Sequence, residues 1–98
     1  MDFEIKANQS IVGVARGIGY VIIDTKGVEY NLVRKIHGDN YPRFHAYVKQ
    51  LGDGFLFSLH LDQKAPVYKG THAHNGEYFG PIVDQEADRI KEILKEND

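Results

Sequence analysis

The sequence predicts an α+β domain: an antiparallel meander sheet of three to four strands with a C-terminal helix packed on one face. A short N-terminal helix precedes the strands, which gives an α-β-β-β-α-like order. Three observations support this prediction: an amphipathic segment after Ser10, alternating polar and apolar residues over 28–62, and a helical repeat after Pro81. Because the chain has only 98 residues, residues 1–98 are predicted to form a single domain.

The N-terminal helix is predicted to begin after Ser10, which can cap it. The apolar residues of this segment follow the i, i+3, i+4, i+7 spacing of one helix face: Ile11, Val14, Ala15 and Ile18. Gly17 and Gly19 can end such a helix in left-handed geometry. Gly13 and the β-branched residues weaken a helix, so a pair of strands over residues 10–24 is the alternative.

Strands are predicted over residues 20–24, 28–36, 43–50 and 55–62, with turn-forming residues between them. The second of these segments alternates imperfectly, because Arg34 falls in its apolar row and Val33 in its polar row. The last two alternate cleanly and flank a tight turn at residues 51–54, which predicts a hairpin.

The C-terminal helix is predicted from apolar residues at i, i+4, i+7 and i+11: Val83, Ala87, Ile90 and Leu94. Pro81 lies near its first position, acidic residues come early and lysines late, as the helix dipole favours. We expect this helix to lie across the sheet face that carries Phe44, Phe57 and Leu59.

Composition excludes several classes of protein. The chain has no cysteine, which excludes a disulfide scaffold, a thiolate zinc site and a cysteine nucleophile. No apolar run reaches the ~18 residues of a membrane span, so we expect a soluble, cytoplasmic protein that does not bind a membrane. Net charge is −2, but residues 34–69 carry six Lys and Arg against three acids, whereas residues 70–98 carry three against seven. The middle segment is therefore either a solvated basic sheet face or a site for an anionic ligand.

The histidines supply the candidate site. If the two strands of the hairpin bury one common face, a two-residue turn pairs His45 either with His60 or with Asp62. Both registers place His45, His60, Asp62 and Tyr47 together on the outer face.

The segment over residues 63–80 is long for a compact domain and contains His72 and His74, which point the same way in extended backbone. If this segment folds back over the hairpin, His45, His60, His72 and His74 are candidate metal ligands, with Asp62 or Glu77 beside them. Such a set suits a divalent metal, Zn, Mn or Ni, or Fe. The alternative is a hydrogen-bond network that ties this segment to the sheet.

The run from Leu59 to Tyr78, followed by a helix near Val83, resembles short prokaryotic proteins that have no assigned function. This resemblance covers the C-terminal half and implies no activity. The helix–strands–helix order also resembles double-stranded-RNA-binding domains, a shape that some mRNA-cleaving toxins use with a single active-site histidine. Those proteins are basic throughout, and this chain is not.

Three functions are compatible with these residues, and whether the protein is an enzyme stays open. The first is a small binding or regulatory module whose basic, His- and Tyr-bearing sheet face contacts RNA or an acidic protein. The second is a metal-dependent or histidine-assisted hydrolase acting on a phosphodiester. Its catalytic residues would be His60 and Asp62, and its ligand-binding residues Arg43, Tyr47 and Lys64. The third is a structural subunit that forms a homodimer through a strand edge.

Overall fold

The computed structural model describes residues 1–64, 76–77 and 80–96. Its elements are, in chain order, β1 (Asp2–Lys6), α1 (Ile11–Ile18), β2 (Val21–Lys26), β3 (Glu29–Lys35), β4 (Arg43–Leu51), β5 (Gly54–Asp62), β6 (Gly76–Glu77) and α2 (Pro81–Glu96). All strand pairs are antiparallel, in the order β1-β5-β4-β3-β2, and the short β6 pairs with β5. The α+β class, the antiparallel sheet and the C-terminal helix are therefore confirmed.

The sheet has more strands than the three to four predicted, because the first residues of the chain form β1. This strand pairs with β5 from Asp2 opposite Ser58 to Lys6 opposite Gly54. Only Phe3 and Ile5 alternate with the charged residues of β1, and two apolar residues are too few to distinguish a strand from an extended end of the chain. The long-range pairing with β5 makes this segment a strand.

Helix α1 occupies the segment for which helix and strands were alternatives. The side chain of Ser10 caps it by accepting a hydrogen bond of 3.2 Å from the Gly13 N–H. Gly19 ends it with φ of 82°, in the left-handed region that glycine adopts at no steric cost. β2 starts two residues later, at Val21.

The hydrophobic core lies between one face of the sheet and the two helices. The apolar residues of α2 that face the sheet are fully buried or nearly so: Val83, Ala87, Ile90 and Leu94. They belong to the same cluster as Phe44, Phe57 and Leu59, the residues across which the helix was expected to lie. No helix in the described residues is long and apolar enough to cross a membrane.

A buried carboxylate explains why Arg34 interrupts the apolar row of β3. Glu86 of α2 is 4% exposed and accepts hydrogen bonds from the Tyr20 hydroxyl at 2.7 Å, from Arg89 Nε at 2.7 Å and from Arg34 Nη1 at 3.3 Å. Arg89 Nη2 also donates to the carbonyl of Ile18 at 2.6 Å, which satisfies a carbonyl at the C-terminal end of α1. The network thereby joins both helices to the sheet.

The edge strand β2 contains features that discourage pairing with another sheet. Its register with β3 shifts between Ile22 and Asp24, so this edge carries a bulge, and Lys26 follows at its end. Bulges and charged residues protect edge strands from association. The homodimer through a strand edge stays a prediction that these features disfavour.

Candidate metal centre

The β4–β5 hairpin places two histidines directly opposite each other. Its turn consists of Gly52 and Asp53, since Leu51 pairs with Gly54, and this register pairs His45 with His60. One of the two registers derived from the sequence is therefore confirmed, and the other is wrong.

Asp62, two residues beyond His60 on the same strand face, binds both imidazoles. Its Oδ2 lies 3.1 Å from His45 Nδ1, and its Oδ1 lies 3.2 Å from His60 Nε2. One ligand atom from each of the three residues lies within 4.8 Å of the other two. The Nε of Arg43, which pairs with Asp62 across the hairpin, donates to Oδ2 at 3.4 Å.

The imidazoles are buried although they face away from both helices. His45 is 8% exposed, His60 5%, and Val33, opposite His45 on β3, 6%. Burial of Asp62 raises the pKa of its carboxyl, but the hydrogen bonds from His45 and His60 and the charge interactions with both imidazoles together lower it by more. The pKa therefore lies below its usual range, and Asp62 is ionised at neutral pH.

The ionised carboxylate also sets the tautomer of His45. A carboxylate can only accept hydrogen bonds, so Nδ1 of His45 carries the proton that it donates to Asp62. The other nitrogen, Nε2, then holds a lone pair when the ring is neutral. This atom is buried and has no hydrogen-bond partner among the described residues. A buried acceptor without a partner is costly.

The ligand-binding residues predicted from the sequence lie at different distances from this cluster. The ring of Tyr47 is 4.6 Å from that of His45 and 5.5 Å from that of His60, measured between centroids. Arg43 contacts Asp62 and lies over the ring of Tyr41 at 4.6 Å. Lys64 lies beyond the end of β5 and is exposed.

The predicted four-histidine metal set cannot be compared in full, because His72 and His74 lie outside the described residues. The described part of the chain brings together His45, His60 and Asp62. The sequence also placed Asp62 beside these imidazoles, and the structure brings one of its carboxylate oxygens within 4.8 Å of a nitrogen of each ring. The catalytic role assigned to His60 and Asp62 stays a prediction.

The outer face is less basic than the middle segment suggested. β1 adds Asp2 and Glu4 opposite Ser58 and Leu56, and Glu29 lies 3.9 Å from Lys49. Beside Tyr47 this face contains a groove of about 200 Å³ lined by Asp2, Glu29, Tyr47, Lys49, Leu56 and Ser58. Sequence reasoning missed the contribution of Asp2 because it depends on the pairing of β1 with β5.

Comparison with known proteins gives no match to a family model, a curated protein or a solved structure. Function must therefore be inferred from the site itself.

Proposed function

We propose that the protein binds a divalent transition-metal ion through His45, His60 and Asp62. The observation that carries this proposal is the convergence of two imidazoles and one carboxylate, whose ligand atoms lie within 4.8 Å of one another in a largely buried position. Bonds of ~2.0–2.2 Å in tetrahedral geometry place ligand atoms about 3.3–3.6 Å apart, so the side chains must bring these atoms closer by up to about 1 Å when the ion binds.

The chemistry of the donors limits the choice of ion. Imidazole nitrogen with a carboxylate suits Zn, Mn, Fe or Ni, whereas Ca and Mg prefer oxygen ligands only. Three protein ligands also leave at least one coordination position for water or for an exogenous ligand.

The experiment starts from protein freed of metal with a chelator and then titrated with Zn²⁺, Mn²⁺ and Ni²⁺. Native mass spectrometry should detect one ion per chain. At a free concentration 100 times the Kd, the ion should raise the free energy of unfolding by about 2.7 kcal/mol.

His45→Gln and Asp62→Asn should weaken binding at least tenfold, which corresponds to about 1.4 kcal/mol. His37→Gln is the matched control, because His37 is exposed and lies outside the cluster. Circular dichroism checks that each variant folds. Absence of a stoichiometric ion in folded wild-type protein, or equal affinity in the cluster and control variants, would contradict the proposal.

Hydrolysis of a phosphodiester is the second candidate function, favoured by the position of Arg43 beside Asp62. A guanidinium there can hold a phosphate oxygen, and a divalent ion lowers the pKa of a water molecule. Metal-loaded protein should hydrolyse bis(4-nitrophenyl) phosphate, and Arg43→Gln should slow the reaction without loss of the ion. A rate no higher than that of the free metal ion excludes this function.

A further inference from the structure

The proposed metal centre is most accessible to solvent on the side of Arg43. The exposed fraction of the side chain is 6% for His60, 15% for Asp62 and 20% for Arg43. Arg43 and Tyr47 flank His45 on β4, two residues to either side, and the ring of Tyr47 lies against both imidazole rings. This gradient indicates that an exogenous ligand of the ion enters beside Asp62 and Arg43.

Arg43 contacts an atom of the cluster that an ion would bind. Its Nε donates to Asp62 Oδ2 at 3.4 Å, and the same oxygen lies 3.1 Å from His45 Nδ1. An ion bonded to Oδ2 therefore lies no more than about 5.6 Å from the guanidinium nitrogen. A single oxyanion can bridge a gap of this size, because one oxygen binds the ion while another accepts a hydrogen bond from the guanidinium.

The guanidinium of Arg43 is held in place and keeps most of its donors available. It lies over the ring of Tyr41 at 4.6 Å, and its Nε is engaged by Asp62. Its two terminal nitrogens, Nη1 and Nη2, donate to no residue in the part of the chain that the structure describes. A guanidinium presents its N–H groups as a planar fork that matches the oxygens of an oxyanion. Arg43 can therefore bind such an anion without releasing Asp62.

Binding of a divalent ion changes the balance of charge at this position. Without the ion, the carboxylate of Asp62 offsets the guanidinium of Arg43, with which it forms an ion pair. The ion then adds positive charge to the same carboxylate, beside a guanidinium that is largely buried. Lys35, opposite Arg43 on β3, is a further cation. Positive charges that lie close together and partly out of water favour the binding of an anion between them.

We infer that the metal centre binds its ion together with a small oxyanion, which occupies an open coordination position of the ion and accepts hydrogen bonds from the Nη atoms of Arg43. This inference rests on the proposed metal binding and deepens it. The affinity for the metal then depends on the oxyanion, and by linkage the affinity for the oxyanion depends on the metal by the same factor. No bond of the anion is broken, so the inference does not require hydrolase activity.

The test measures the affinity of the full-length protein for Zn²⁺ while a chelator buffer fixes the concentration of free Zn²⁺. Saturating inorganic phosphate or bicarbonate should raise this affinity at least about fivefold, the lower end of the usual coupling between sites. Chloride at the same ionic strength should raise it by less, because a monatomic anion offers no second atom to the guanidinium. A response to either oxyanion supports the inference, and the better of the two shows whether a tetrahedral or a planar anion fits.

Arg43→Gln should remove the effect of both oxyanions, while Zn²⁺ still binds in chloride buffer. Arg16→Gln is the matched control, since it removes an equal charge from an exposed position on α1 and should preserve the effect. Circular dichroism checks that both variants fold, and the comparison of oxyanions with chloride needs no variant. No gain with either oxyanion, an equal gain with chloride, or an equal gain in folded Arg43→Gln overturns the inference while metal binding stands. Failure of the wild-type protein to bind Zn²⁺ overturns both.

Discussion

Replacing Glu86 with alanine tests the hydrogen-bond network between the helices and the sheet. The hydroxyl of Tyr20, a residue only 4% exposed, loses the acceptor to which it donates at 2.7 Å, and a buried unsatisfied group costs about 1–3 kcal/mol. Arg34 and Arg89 lose their common anion, but their side chains are 35% and 32% exposed, so water offsets most of that loss. We therefore expect a loss of about 3 kcal/mol, at the lower end of the range for a broken buried pair.

Urea denaturation and calorimetry measure this loss. For a domain of this size, about 3 kcal/mol corresponds to a fall in Tm of roughly 12–24 °C. Glu92→Ala, at an exposed position of α2, is the control and should change stability by less than about 0.5 kcal/mol. Glu86→Ala should also cost less in a Tyr20→Phe background, because no hydroxyl is then left unpaired. A loss below about 1 kcal/mol for the single variant would refute the assignment of Glu86 as the acceptor that holds the helices to the sheet.

Three further predictions concern stability. Burial and then the Glu86 charge raise the pKa of the Tyr20 hydroxyl. The contribution of this group to the free energy of unfolding is therefore full below its unfolded pKa of about 10 and is lost as the pH rises further. Denaturation midpoints measured at alkaline pH should fall less steeply for Tyr20→Phe than for the wild-type protein. Gly13→Ala should stabilise helix α1 by about 0.5–1 kcal/mol, because the added Cβ meets the flexible end of Gln9 at 3.3 Å and lies at an ordinary contact distance of 3.5 Å from Ser10 Oγ. Gly19→Ala should instead destabilise it, since φ is 82° there; a gain for both variants would refute the cap. Phe57→Ala should cost about 3–5 kcal/mol, because Phe57 is fully buried; a cost near 1 kcal/mol would contradict its central place in the core.

Local sequence patterns predicted those helices and strands whose buried residues recur at a regular spacing within one segment of the chain. The α2 helix was predictable because Val83, Ala87, Ile90 and Leu94 follow one helix face, and the hairpin because its two strands bury one common face. β1 was not, because its identity as a strand depends on β5, whose paired residues lie 48 to 56 positions further along the chain. The role of Arg34 depends in the same way on Glu86, a partner on a distant helix.

The candidate site was predictable to the extent that the alternation of side chains along each strand determines which residues share a face of the sheet. Burying both strands of the hairpin on one face limits the register to alternatives that all place His45, His60 and Asp62 on the other face. The distances among their atoms, and therefore the way in which Asp62 binds both rings, depend on rotamers that no pattern of residue types specifies.

Whether the cluster is only a hydrogen-bond network or also a metal centre can be argued from the unused atom of His45. A network that served stability alone would be expected to satisfy both ring nitrogens, since a buried unpaired acceptor costs about 1–3 kcal/mol. Here Nδ1 is held by Asp62 while Nε2 is buried with no partner in the described part of the chain. Replacing His45, His60 and Asp62 together with apolar residues would then stabilise the metal-free fold or leave it unchanged. The unpaired Nε2 of His45 is not explained by stability alone, and the proposed ion would bind the atoms of His45, His60 and Asp62 that face one another, in place of the proton on Nδ1.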